Sequence, residues 1–384
     1  MAGKTIAILG GGFGGLAAAH ALRDRLPLEH RVVLIERKHA FSMGLSNLWV
    51  MAGDRADPKD GERHLSKLAA KHIEVVQESI RTVDAERTTV QTDSRTIHAD
   101  YLIVALGAEL APLAIPGFQE SAFNLYDSDG ALSLQAALRT FAGGKIAILI
   151  SRTPFKCPAA PYEAAFLIDA LLRERHIREM TPLSIYTIEP QPMPVAGPHI
   201  GAALRAMLTQ RNIGYFPEHA ALKINTTSKR ILFEIEEADF DLLIGVPPHV
   251  APSVVRNAGL VDSTGWIPVN ALTLGTRFPH VYAIGDVASV KLKNGMFLPK
   301  AGVFAEREAS VVAENIAAEI LGQPLAGRFD GRGACYLEVG EGKAAYGEGD
   351  FFALPSPHVT LEEPSRARRH EKELFERTRL DAWF

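Results

Sequence analysis

The sequence predicts an α/β protein of two Rossmann-like domains followed by a C-terminal interface segment. Three observations predict it. An apolar strand, Thr5-Ile-Ala-Ile-Leu9, runs into Gly10-x-Gly12-x-x-Gly15 and then a helix with an apolar face through Leu16, Ala19 and Leu22. A second strand of the same kind, Lys145-Ile-Ala-Ile-Leu-Ile150, leads into Ser151-Arg-Thr-Pro-Phe-Lys-Cys157-Pro-Ala-Ala-Pro-Tyr-Glu163, where no glycine cradle exists. A late strand, Phe278 to Ile284, ends in Gly285-Asp286 and returns the chain to the first domain ahead of a long helical stretch, Phe304 to Leu321.

Composition bounds the rest. A chain of 384 residues, 47% hydrophobic and 22% charged, exceeds one comfortable core and describes a folded protein of two or three domains. The net charge of -4 supplies no broad basic field, which argues against nucleic acid as a partner. Lys4 and the alanines at 17–19 superficially resemble a secretion signal, but Gly10, Gly12 and Gly15 explain that stretch better, so the cytoplasm is the default location. The longest apolar passage elsewhere, Tyr101 to Phe118, contains Glu109, Pro112 and Pro116 and cannot form a spanning helix.

Along the chain, a helix is expected from about Gly14 to Arg25, with strands at 32–35, 73–76, 88–92 and 101–107. Ile115-Pro-Gly117 marks a turn into a second αβ region, with strands near 145 and 183 and helices near 162–175 and 198–211, closing at Asp241–Pro248. The expected domains are 1–112 with 267–330, discontinuous; 113–266, lacking a dinucleotide glycine loop; and 331–384, an interface or membrane-docking segment.

The first unit carries a complete ribose and pyrophosphate site. Gly10, Gly12 and Gly15 allow a tight turn and close backbone approach, and Glu36, 21 residues past Gly15 with Arg37 beside it, suits a ribose hydroxyl. Ala105-Leu-Gly107 is a small-residue turn that can lie close to a cofactor. Asp286 beside Gly285 can accept hydrogen bonds from a ribityl chain, and the helix N-terminus after Lys300-Ala301-Gly302 can stabilise negative charge on the pyrimidine edge of a reduced flavin. Two separated segments thus converge on one cofactor.

The only cysteines, Cys157 and Cys335, lie 178 residues apart, too far for a local C-x-x-C motif and too few for a zinc site. Two unrelated buried thiols, a structural bridge and a redox-active pair facing the flavin all fit this count. Cys157 stands in a proline-rich turn before the helix expected near Tyr162, with Lys156 adjacent, and both features would stabilise a thiolate. Glu163 is either an acid/base group whose pKa rises in an apolar pocket or a first-turn helix glutamate. His199 reads as a capping or surface histidine, and Lys300 as facing either the flavin region or solvent.

Taken together, Gly10-x-Gly12-x-x-Gly15 with Glu36, Ala105-Leu-Gly107, Cys157-Pro-x-x-Pro161-Tyr-Glu163, Val246-Pro-Pro248, Ala283-Ile-Gly-Asp286, Pro299-Lys-Ala-Gly302 and Cys335-Tyr336 resemble the flavin disulfide reductase superfamily. Within it the chain resembles the sulfide dehydrogenases, which comprise sulfide:quinone oxidoreductase and the flavoprotein subunit of flavocytochrome c sulfide dehydrogenase. The resemblance spans roughly residues 4 to 340. It implies a bridge of two or a few sulfurs between Cys157 and Cys335 beside the flavin, attack on it by hydrosulfide, attack of the Cys335 thiolate on the flavin, and proton handling by Glu163. Electrons would pass to a quinone or a cytochrome. The chain lacks a cysteine in Phe41–Asn47, where flavocytochrome c subunits attach FAD, so FAD is expected to be noncovalent. It also lacks the third cysteine of many sulfide:quinone oxidoreductases, which excludes a mechanism using three.

The C-terminus, with Arg366, Arg368, Arg369, His370 and Lys372 before Leu374, Phe375, Leu380, Trp383 and Phe384, reads as a basic, partly amphipathic helix. It suits peripheral membrane contact or packing on its own core or across a homodimer. Two other readings stay open: a type II NADH:quinone oxidoreductase, whose nucleotide site would need a glycine cradle after Ile150, and a non-catalytic flavin redox sensor or assembly subunit.

Overall fold

A computed structural model describes residues 3–384. The first sheet is built from Thr5–Leu9 (β1), Arg31–Ile35 (β2), Glu74–Val76 (β3) and Tyr101–Val104 (β4), with helix α1 (Phe13–Arg23) following β1 and helix α2 (Ser46–Ala52) lying beyond β2. The second sheet takes Ala122–Asn124 (β5), Ile146–Ile150 (β6), Leu183–Thr187 (β7), Ile213–Phe216 (β8) and Leu242–Val246 (β9). Helix α3 (Ala160–Glu174) joins β6 to β7, and α4 (Pro198–Gln210) joins β7 to β8. The chain then re-enters the first sheet as Val281–Ala283 (β10), follows helix α5 (Gly302–Ile320), and ends in strands Arg332–Gly340 (β11), Lys343–Asp350 (β12) and His358–Leu361 (β13) and helix α6 (Arg366–Trp383).

Both five-stranded sheets are wholly parallel, in the orders β10-β4-β1-β2-β3 and β5-β9-β6-β7-β8. Parallel strands need helical crossovers that cover both faces, so their central strands are apolar throughout. Every residue of β4, β6 and β9 is buried. The β1-α1 turn works by close approach: Gly10 has φ +102°, and a Cβ there would come within 2.5 Å of the Ala105 carbonyl oxygen. Gly14 lets α5 cross α1 closely, a Cβ there meeting Ala305 Cβ at 3.3 Å.

The antiparallel sheet β11-β12-β13 goes beyond what the sequence predicts. It packs against α3 and α5, and a Cβ on Gly333 would strike the Phe304 ring. Helix α6 closes over it with Lys372, Glu376, Leu380 and Trp383 inward, at spacings of one helix face. Its aromatics pack on the first domain: Phe13 lies 6.0 Å from Phe375 and 5.0 Å from Trp383, and Phe41 lies 5.8 Å from Trp383. Packing on its own core is observed for this helix, while Leu374, Phe375 and Phe384 stay partly exposed. Among the described residues no helix is long and apolar enough to cross a membrane.

Candidate active site

The dinucleotide cradle forms where expected. Gly12, the N-cap of α1, makes no side-chain cap, so the first N–H groups of α1 stay open to an anion, and a Cβ on Gly12 would meet nothing within 4 Å. Glu36 sits at the end of β2, held through Oε2 by the Gly11 N–H (2.8 Å) and through Oε1 by the Lys38 N–H (2.9 Å). Arg37 is exposed next to it. Ala105 is buried and Gly107 has φ +66° with open space at its Cβ position. Free anion donors, a strand-end carboxylate and open glycine surface are the features an FAD requires, and the residues present fit it.

The second segment reaches the same region. Asp286 lies in the short helical turn Gly285–Val287. Burial raises its pKa, against the pull of Lys300 and Lys156. Gly285 is fixed by a 2.6 Å hydrogen bond from its N–H to Glu308 Oε2. Lys300 is buried rather than solvent-exposed: its ammonium donates to the carbonyls of Asp286 (2.6 Å) and Ala288 (3.2 Å) and stands 3.5 Å from the centre of the Trp266 ring. Burial lowers its pKa to about 8. Ala301 caps α5 and Gly302 begins it, close against Phe13.

Cys157 occupies the turn between β6 and α3 that corresponds to the glycine turn after β1. It adopts a left-handed φ of 49°, uncommon for a residue with a side chain. Three contacts impose it: its N–H donates to Lys300 O at 2.7 Å, and its carbonyl accepts from Ala160 N (3.0 Å) and Tyr126 Oη (3.3 Å). Cys335, on β11, lines the same cavity, an apolar space of about 440 Å³ that also takes in Trp266, Lys300 and Phe304. Both cysteines are free thiols in this structure. Cys157 is partly buried and Cys335 is exposed to the cavity, and the surrounding protein desolvates both, pushing the Cys157 thiol well up and Cys335 up to about 11. The helix end and Lys156 were expected to favour a thiolate at Cys157. Burial, then Cys335 and Glu163, outweigh them.

Glu163 lies behind the thiols in a buried ionic group. Its Oε1 accepts from Lys372 Nζ (2.5 Å) and from the Glu338 N–H (2.8 Å). Lys372 also pairs with Glu338 at 2.9 Å, and Glu338 in turn holds Arg369 (2.8 Å) and the Trp49 indole N–H (2.7 Å). Burial raises the Glu163 pKa, countered by Lys372, whose own pKa the two carboxylates raise. Lys372 also draws both cysteine pKa values down. His199 is exposed, as its capping or surface reading anticipated. Glu338, Trp266 and Glu308 were not singled out in the sequence, and Lys372 was read only as part of the basic C-terminal helix, because each acts through a partner distant along the chain.

The family description "Pyridine nucleotide-disulphide oxidoreductase" matches residues 4–309. The chain belongs to this family. Among similar proteins, the mitochondrial sulfide:quinone oxidoreductase of Dictyostelium discoideum is 26% identical over 89% of this chain and 77% of that protein. The sulfide-quinone reductase of Aquifex aeolicus is also 26% identical, over 92% and 84%. The crystal structure of sulfide:quinone oxidoreductase from Aquifex aeolicus superposes with a TM-score of 0.88 at 23% identity, covering 98% of this chain and 90% of that one. That likeness shows the shared fold. A pyridine nucleotide-disulphide oxidoreductase of this architecture binds a flavin, in agreement with the cradle formed by Gly12, Glu36 and Asp286.

Proposed function

We propose that this chain is an FAD-dependent enzyme that oxidises sulfide, or a related small sulfur nucleophile, through Cys157 and Cys335 and passes the electrons to a quinone. The observation that carries the reading is the convergence of two cysteines, 178 residues apart, on one apolar cavity at the turn where a second nucleotide site would otherwise lie. The sulfide:quinone oxidoreductases to which the chain is similar support the substrate and the acceptor.

FAD, when bound, supplies the two-electron acceptor. Gly10, Gly12 and Gly15 would hold its pyrophosphate, Glu36 its ribose, and Asp286 with the α5 N-terminus the flavin end. With both cysteines on the wall of the other cavity, none is left for a covalent tether, which supports noncovalent FAD. The polypeptide holds Cys157 by three contacts to its backbone, lines the cavity around the thiols with apolar side chains, and places the Glu163–Lys372 pair behind both sulfurs. Lys372 stabilises whichever cysteine leaves as a thiolate, offsetting part of the burial penalty.

The NADH-oxidising alternative is disfavoured because Ile150 leads into Ser151-Arg-Thr-Pro and not a glycine turn. The test is anaerobic turnover of the purified yellow protein with sulfide and a short-chain quinone, beside a c-type cytochrome and beside NADH as donor. The reading expects sulfide-dependent quinone reduction and no NADH-dependent reduction. Cytochrome reduction with no quinone reduction would reassign the acceptor, and a flavin inert to sulfide would move the redox-sensor reading to the front. Vesicle co-sedimentation and light scattering of the same preparation test peripheral membrane contact and a homodimer.

A further inference from the structure

The second domain retains a strand-end carboxylate although it has lost the glycine turn. Glu189 lies two residues past β7, one position later than Glu36 after β2. Glu36 is partly open and holds the Gly11 N–H. Glu189 is only 4% exposed and forms part of the cavity wall that carries Cys157 and Cys335. Its hydrogen bonds are one-sided: Tyr162 Oη (2.8 Å) and Thr187 Oγ1 (3.3 Å) both donate to Oε2. Among the described residues Oε1 receives no hydrogen bond, although the side chain borders open space.

We propose that Glu189 is a proton acceptor for the sulfur nucleophile in this cavity, its Oε1 taking a proton from hydrogen sulfide to give a carboxylic acid and free hydrosulfide. This rests on the sulfide reading above. The step balances as a plain proton transfer: one S–H bond breaks, one O–H bond forms, and no oxidant is consumed. Tyr162 stays bonded to Oε2 in both states, so the proton goes on and off Oε1 without rearrangement. Glu163 is less suited to this exchange, because its Oε1 is engaged by an ammonium and a backbone N–H and because it does not line the cavity.

The groups facing Glu189 are compatible with titration near neutrality. Tyr162 comes from α3, and Tyr215 from β8 packs ring to ring against it at 6.5 Å, with Arg205 of α4 lying 5.4 Å from the Tyr215 ring. Across the cavity stand Cys157, Lys300, Cys335, Tyr336 and Glu348. Burial raises the Glu189 pKa to about 7, while Tyr162 and Thr187 pull it down. At that value the carboxyl has both forms available where a general base works best.

The test is the rate of anaerobic flavin bleaching by sulfide across pH, for wild type, Glu189→Gln and Tyr162→Phe, with infrared difference spectra of the unreacted proteins. Glu189→Gln keeps an acceptor for Tyr162 but cannot take a proton. It is expected to slow bleaching by on the order of 10²-fold below neutrality, and to recover toward wild type at alkaline pH, where the nucleophile enters already as hydrosulfide. Tyr162→Phe removes a bond that favours the ionised form, and shifts the wild-type rise to higher pH. Protonated-carboxyl absorbance titrating near 7, to which Glu308 also contributes, is expected to be larger in wild type than in Glu189→Gln. A uniform loss at every pH, or equal carboxyl absorbance in the two proteins, overturns the proposal. A wild-type flavin that sulfide never bleaches overturns the sulfide reading and the proton acceptor with it. A bleaching wild type whose Glu189→Gln variant keeps its profile overturns the role of Glu189 alone.

Discussion

The two parallel sheets share the order of four strands, the edge strand coming last along the chain in one (β10) and first in the other (β5), and the turns after β1 and β6 carry different residues. After β1 the turn is glycine, its helix N-terminus is uncapped and open, and Glu36 waits beside it partly exposed. After β6 the same turn is closed by proline and cysteine, Cys157 is pinned at φ 49°, and the carboxyl groups nearby, Glu163 and Glu189, are 1% and 4% exposed. One half leaves backbone donors open; the other buries its carboxyl side chains, Glu189 on the cavity wall and Glu163 behind it. The lesson is that a Rossmann turn positions whatever it carries: glycine after β1 leaves an open cradle, and Cys157 after β6 forms part of a cavity wall.

The sharpest way to break this contrast is at the glycines. Gly15→Ala drives a Cβ into the Gly10 carbonyl oxygen and is expected to yield little folded, yellow protein. Gly12→Ala meets no atom and is expected to leave apoprotein stability within about 0.5 kcal/mol, while FAD affinity falls by on the order of tenfold or more, about 1.4 kcal/mol. Flavin-to-protein ratio and urea unfolding of the apoprotein measure the two effects. Equal loss of stability in both variants would contradict an open cradle at Gly12.

In the second half the vulnerable element is buried charge. Lys372→Met leaves Glu163 without its ammonium in the interior, an expected destabilisation of about 3–5 kcal/mol; Glu163→Gln in the same chain should recover part of it. Chemical unfolding of the single and double variants tests this coupling. If the double variant is no more stable than Lys372→Met alone, Lys372 acts only through packing.

A smaller effect is expected at the junction with the first half. Burial raises the Glu308 pKa from 4.5 to about 7, so the folded state favours its protonated form. Its contribution is therefore fully present below pH 4.5 and lost as pH rises through about 7, roughly 3 kcal/mol in all. Glu308→Gln is expected to flatten that part of the stability curve, read by urea unfolding from about pH 4.5 to 8. The smallest expected effect is none: NADH added without oxygen leaves the flavin oxidised, and bleaching would restore a nucleotide site to the second half.

Legibility in the sequence followed the range of the interactions. The β1-α1-β2 unit was readable because its glycine spacing and apolar runs are local, and α3, α4 and α5 appeared within a few residues of their observed ends. The sheet β11-β12-β13 was not readable, since strands such as Arg332–Gly340 and Lys343–Asp350 mix glycine and glutamate without clean alternation. Cys157 and Cys335 could be named as candidates, but their shared cavity depends on β11 folding back against α3. Lys372 and Glu163 are 209 residues apart, and Trp49 and Glu338 are 289 apart, so no local pattern announces either pair. Likewise, sequence shows Lys156 and a helix start beside Cys157 but not the desolvation that raises its pKa.

The central claim is that Cys157 and Cys335 act together on sulfide beside the flavin. Its most direct test is anaerobic stopped-flow spectroscopy of the FAD-loaded protein mixed with sulfide, run beside Cys157→Ser and Cys335→Ser variants that retain full flavin. The account predicts bleaching of the flavin band with a transient long-wavelength charge-transfer absorbance in the wild type, and loss of both in each variant. An unchanged wild-type flavin, or bleaching that survives in either serine variant, would contradict it.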